Sequence, residues 1–156
     1  MPVIHLTNFI AAPVERVFDL SRSIDLHKHS MTKHKEEPIG AVISGLVSQG
    51  AEVTWRAHHL FKTRILKVKV TVLDRPNSFV DEQVEGDFSS MKHQHFFKPI
   101  DNGTIMIDIF EFDSPYHLAG KVFNALYLTN YMKSLLENRN KMIKEVAEGN
   151  RWKNYL

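Results

Sequence analysis

The chain has 156 residues, enough for one domain with a real core and too few for a second. Twenty Lys and Arg stand against eighteen Asp and Glu, a net charge of +2, and the basic residues are dispersed, so composition argues against nucleic acid as a partner. With no cysteine, disulfides and thiolate metal sites are excluded.

Met1–Ile10 shows neither a basic start nor a long apolar run, so no signal peptide is expected. No stretch reaches the ~20 apolar residues needed to span a bilayer, so no stable membrane insertion is expected. Together with the absence of cysteine, this points to the cytoplasm.

Val3–Ile10 is short, apolar and β-branched, a strand signature. Pro13 suits a first helical turn, and Val14, Val17, Phe18 and Ser21 follow at helical spacing. Ser23 is placed to cap a second short helix through Ile24, Asp25 and Leu26. His27–Pro38 is polar and basic and reads as a loop or a frayed strand entry, and His27, His29 and His34 read as a solvated group rather than a ligand set. Ile39–Val47 reads as a strand running into a loop at Gly40 and Gly45. Val53, Trp55 and Ala57 alternate with polar residues. In Ile65–Leu73, Val68, Val70 and Val72 share one face, opposite Lys67, Lys69 and Thr71. Arg75–Ser78 is a turn. Three further alternating runs are Phe79–Glu85, Met91–Lys98 and Thr104–Phe112, the last two joined through Asp101-Asn102-Gly103, a hairpin signal. Ser114-Pro115 closes the final strand.

From Leu118 to Glu148 the period becomes helical. Leu118, Val122, Leu126, Met132, Leu136, Ile143 and Val146 lie near one stripe, giving a helix of roughly 45 Å. Gly149 stops it, and Trp152 and Tyr155 in the tail are placed to fold back. The order predicts an α+β fold in a single domain, 1–156. A curved antiparallel sheet of about seven strands wraps the long C-terminal helix, with two short helices after strand one. A bent sheet gripping one helix leaves volume that its own side chains do not fill, so an internal pocket is expected.

Several motifs sharpen this. They are Ala12-Pro13-x-x-x-Val17-Phe18, Val53-Thr54-Trp55-Arg56-Ala57, Asp74-Arg75-Pro76, and Phe79-Val80-Asp81-Glu82-Gln83 with Gly86-x-Phe88. His93-x-His95-x-Phe97, Gly103-Thr104-x-Met106-x-Asp108 and Glu111-Phe112 follow. In these the chain resembles the START/Bet v 1-like helix-grip (SRPBCC) superfamily, in a bacterial branch similar to polyketide cyclases and dehydrases. The resemblance spans nearly the whole chain. It implies a domain that binds small hydrophobic molecules, with no fixed cofactor and no shared catalytic residue. Two positions depart from the branch: Met91, where an aromatic is common, and Gly86-Asp87, where Gly-Pro is common. Both fall beside the expected pocket rim, so no relative's ligand carries over.

Period-two geometry puts Phe79, Asp81 and Gln83 on one face, His93, His95 and Phe97 on the next, and Met106, Asp108 and Phe110 on the last. Counting from an Asn102-Gly103 loop, with Asp101 opposite Thr104, sets Phe97 opposite Asp108, Asp81 near His95 and Gln83 near His93. The expected lining is Trp55, Phe79, Asp81, Gln83, His93, His95, Phe97, Met106, Asp108, Phe110, Met132 and Leu136. A polar floor of this kind orients a ligand carbonyl, hydroxyl or carboxylate. His95 with Asp81 or Asp108 is the candidate acid–base pair. The structural alternative is a buried His–Asp ladder that only satisfies its own hydrogen bonds. His93, His95 and Asp108 resemble a two-His-one-carboxylate set, but no helical His-Glu-x-x-His pattern is present, and no metal is expected. Three functions follow in order: carriage of a small hydrophobic molecule (a lipid, polyketide or aromatic metabolite), a cyclase or dehydrase-type enzyme in the same cavity, and a protein-interaction module. Oligomeric state is left open.

Overall fold

A computed structural model of the protein describes residues 1–113 and 121–156, with side chains throughout except at 121–124. The strands are β1 (Val3–Ile10), β2 (Glu37–Ile39), β3 (Glu52–His59), β4 (Lys62–Asp74), β5 (Ser78–Glu85), β6 (Ser90–Ile100) and β7 (Gly103–Asp113). The α-helices are α1 (Val14–Ser21), α2 (Ile24–Ser30) and α3 (Lys121–Glu148). The seven strands form one antiparallel sheet in the order β1-β7-β6-β5-β4-β3-β2, so the first strand closes beside the last. This is the α+β helix-grip arrangement. Leu118, Ser114 and Pro115 lie outside the described residues, as does the side chain of Val122.

Local chemistry explains the start of the chain. Pro13 precedes α1, and the Ser23 hydroxyl accepts from the Leu26 N–H at 3.2 Å, capping α2. At the far end the Gly149 N–H donates to the Glu145 carbonyl, and α3 stops. A short 3-10 turn, Arg151–Asn154, then carries Trp152 and Tyr155 back against the core around Phe18 and Val146.

Four expectations need correction. The His27–Pro38 segment does lead into a strand, β2 from Glu37, but before it α2 runs on to Ser30 and a 3-10 turn spans Thr32–His34. Ile39–Val47 holds no strand beyond Ile39; instead β2 pairs with β3, Pro38 facing Trp55. Val70 and Val72 do not share a buried face. A β-bulge between them leaves Val70 buried and Val72 exposed. Leu126 is 65% exposed and lies off the gripped stripe, which keeps Leu136, Ile143 and Val146 as expected and adds Leu135 and Ala147.

The hairpin register also differs. The loop residues are Asp101 and Asn102, with Ile100 opposite Gly103 and Pro99 opposite Thr104. Gly103 belongs to β7, pressed against β1, where a Cβ would collide with the Ile10 carbonyl oxygen. Every pair shifts accordingly: His95 faces Asp108, and Phe97 faces Met106.

The core divides along α3. At its C-terminal end Ile143, Val146 and Ala147 pack with Phe18, Phe79, Phe97 and Met106, with Phe18 edge-on to Phe79 and Phe97 at 5.5 and 5.1 Å. Further toward the N-terminus, Leu136 packs with Met91, Phe110 and Phe112. A third cluster, Ile24, Val47, Val53, Trp55 and Val70, lines the opposite wall. Between the second and third clusters the interior is open.

Candidate functional site

That opening is a cavity of about 420 Å³. Ile24, Val53, Trp55, Leu66, Met91 and Leu136 make much of its apolar wall. Its inner end is polar. His93 and His95 stand two residues apart on β6, so both project inward, and Asp81 on β5 lies opposite His93. The Nε2–H of His95 donates to Asp81 Oδ2 at 2.8 Å, a diagonal contact across the ladder. His93 Nε2–H donates to Asp108 Oδ1 at 2.8 Å, and the same oxygen lies 3.1 Å from His95 Nδ1. His95 is thus flanked by two carboxylates, while its ring stacks on Phe79 at 4.0 Å.

Asp108 is fully buried and anchors α3. Its Oδ2 accepts from Asn140 Nδ2 at 2.7 Å, and its Oδ1 lies 3.5 Å from Arg139 Nη1. Arg139 also donates to Asn140 Oδ1 and to the Ser21 carbonyl. Burial alone would raise the Asp108 carboxyl, but the hydrogen bond from His93, the adjacent His95 imidazole and the charge of Arg139 outweigh it and hold the group well below the ordinary range. Asp81 behaves likewise: burial raises it, the His95 hydrogen bond and charge lower it, and the net direction is down. His93 goes to about 4, because burial and the neighbouring His95 oppose a charge more than Asp108 favours one. Near neutral pH, His93 is an uncharged imidazole between ionised carboxylates.

A second polar group occupies another part of the wall. Glu36 accepts from His27 Nε2 at 3.1 Å and lies 3.3 Å from His59 Nε2. The other ring nitrogen of His59, Nδ1, meets the Tyr131 hydroxyl at 2.7 Å, and His34 Nδ1 is 3.4 Å from the same hydroxyl. Burial pushes the Glu36 carboxyl up, yet the hydrogen bonds from His27 and His59 bring it down to about 2. Burial raises the Tyr131 phenol. Exposed Lys62 and Asp87 stand with Arg64 where the cavity reaches the surface.

Of the residues singled out from sequence, Trp55, Phe79, Asp81, His93, His95, Phe110, Met132 and Leu136 line the cavity. Phe97 and Met106 do not; they belong to the solid core around Phe18. Asp108 lies behind the histidines rather than on the wall, and Gln83 turns aside to donate to the Phe88 carbonyl at 2.8 Å. Sequence reasoning missed Arg139 and Asn140, although both fall at helical spacing between Leu136 and Ile143 and so face inward. It also set aside His27 and His34 as solvated and passed over Glu36 and Tyr131, while the alternation of β3 allowed at most one of His58 and His59 inside, and His59 is that one. The one available signal was His59, at the inward-alternating end of β3.

The architecture defines the class: this is the START/Bet v 1-like helix-grip fold. Solved structures agree. The protein TTHA0849 from Thermus thermophilus superposes with a TM-score of 0.72 at 19% identity, over 92% of this chain and 95% of that one. A START superfamily protein from Mycobacterium smegmatis gives 0.71 at 12% identity, over 94% and 97%. The ginseng major latex-like protein 151 from Panax ginseng gives 0.67 at 12% identity, over 95% and 98%. No protein-family model matches the sequence, and no curated protein matches it significantly. Among the described residues no helix is long and apolar enough to cross a membrane.

Proposed function

We propose that the protein binds and carries one small, largely apolar molecule that bears an oxygen function. The observation behind this is the cavity itself: about 420 Å³ of unfilled volume between β-sheet and α3, apolar along its walls and ending in Asp81, His93 and His95. The apolar body of a lipid, polyketide or aromatic metabolite gains by leaving water, at about 25 cal/mol per Å² buried. The His–Asp wall supplies donors and acceptors that fix the orientation of a carbonyl, hydroxyl or carboxylate. Native mass spectrometry of freshly purified protein tests the reading. A co-purified small molecule, or one-to-one uptake from a panel of medium-chain fatty acids and planar aromatics, is expected; an empty chain that takes up none of them contradicts it.

A second reading, catalysis of cyclase or dehydrase type, draws on one specific feature. His95 lies on the cavity wall between Asp81 and Asp108, which is the placement of an acid–base group held by a carboxylate. The filled interior that would favour a pure interaction module is not what the described residues build.

A further inference from the structure

We propose that Asp81, His93 and His95 form a binding site for a divalent transition-metal ion, with Asp108 orienting both imidazoles from behind. Candidate ligand atoms of the three residues lie within 4.8 Å of one another. They come from rigid β5 and β6, with the two histidines on one face and Asp81 in register with His93. Two imidazoles and one carboxylate suit ions such as Zn²⁺, Fe²⁺ or Ni²⁺ and do not suit Mg²⁺ or Ca²⁺.

The arrangement of Asp108 carries the argument further than proximity does. One oxygen of this carboxylate lies 2.8 Å from His93 Nε2 and 3.1 Å from His95 Nδ1, so it addresses one nitrogen of each ring. The opposite nitrogens, His93 Nδ1 and His95 Nε2, are then the ligand positions, and Asp81 already lies 2.8 Å from the latter. A carboxylate behind metal-bound histidines is the usual orienting partner in such sites. Asp108 is itself held by Asn140 and Arg139, which leaves it little freedom to turn.

The protonation of His95 is compatible with coordination. His95 Nε2 faces Asp81, and the buried Nδ1 beside Asp108 makes no hydrogen bond. Coordination requires the lone pair at Nε2. The proton then sits on Nδ1, 3.1 Å from the ionised Asp108, while His93 keeps its Nε2–H on the same carboxylate and ligates through Nδ1. The tautomer change moves one proton within the imidazole and releases none. Charge agrees: Arg139 offsets Asp108, and Asp81 is left as a carboxylate facing the cavity. Coordination positions on the cavity side remain for water or a ligand oxygen.

The experiment is calorimetric titration of chelator-treated protein with Zn²⁺ alone, and with Co²⁺ as a spectroscopic reporter. One ion per chain at micromolar affinity or tighter is expected, with visible Co²⁺ bands of nitrogen and oxygen coordination. Asp81→Asn, His93→Gln and His95→Gln should each weaken binding at least tenfold. Asp108→Asn should weaken it 10–100-fold while keeping the Co²⁺ bands, as a positioning residue does. Should a variant not fold, the ¹⁵N imidazole resonances of wild-type His93 and His95 decide: both must shift on addition of Zn²⁺. Absence of stoichiometric binding overturns the proposal. So does binding that survives the histidine substitutions, as it would if the ion sat at His27, Glu36 and His59. Uptake of apolar molecules is measured separately on metal-free protein, so either result can fail without the other.

Discussion

Glu36 shows how one side chain can tie the cavity wall to pH. Its carboxyl moves from an ordinary 4.5 to about 2 on folding, because His27 and His59 hydrogen-bond the ionised form. A lowered carboxylate stabilises the fold above its unfolded value, and that contribution is lost as pH falls from about 4.5 through 2. At ~1.4 kcal/mol per pKa unit the effect is on the order of 3 kcal/mol. Urea unfolding of Glu36→Gln should therefore show a flatter acid limb than wild type; parallel limbs would remove Glu36 from the account. His95 and His29 make a matched pair for binding. His95 is on the cavity wall, whereas exposed His29 bonds to Tyr155 outside it. Titration with a fluorescent apolar probe should show a larger affinity change for His95→Ala than for His29→Ala, and equal effects would contradict the placement. The histidines of β6 were legible in the sequence because strict alternation fixes their face. Those of α2 and the following turn were not, because nothing local says that a charged run folds inward over Trp55.

Among the elements, α3 carries the grip, and its buried positions differ sharply in worth. Leu136 is 6% exposed and packs with Met91 and Phe110, so Leu136→Ala should cost ~2–5 kcal/mol in urea unfolding. Leu126, at 65% exposure, should change stability by no more than ~0.5 kcal/mol. If the two substitutions matched, the stripe through Leu136 and Ile143 would not be the gripped one. The joint between β7 and α3 is ionic. Asp108→Ala leaves Arg139 and Asn140 without their carboxylate inside the protein, a loss of ~3–5 kcal/mol by the same assay. A cost below ~1 kcal/mol would show that water reaches the joint. Element types were readable from period and caps, as Ser23 and the alternation of β6 and β7 show. Register was not: moving Gly103 from loop to strand shifts each β6–β7 pair by two positions and exchanges Phe97 for His95 opposite Asp108. The bulge in β4 escaped for a similar reason, since Val70 and Val72 look alike in sequence and only the pairing with β5 separates them.

For the whole molecule, the decisive fact is that the sheet closes onto α3 tightly at one end and loosely at the other. The tight end needs Phe18, Phe79 and Phe97 in mutual contact; the loose end leaves about 420 Å³ unfilled between Trp55 and Leu136. The existence of a pocket followed from strand count and one long helix. Its position along the helix depended on side-chain volumes meeting across the sheet, which no periodicity encodes. Trp55 on the cavity wall and Trp152 in the tail are the only tryptophans, so Trp152→Phe makes Trp55 the sole reporter. Titrating that variant with an ω-bromo medium-chain fatty acid, whose bromine quenches indole on contact, measures occupancy of the cavity directly. Saturable quenching at one molecule per chain is the predicted result. Quenching that rises linearly without saturation, or none at all, would mean that the space between sheet and helix does not admit a ligand.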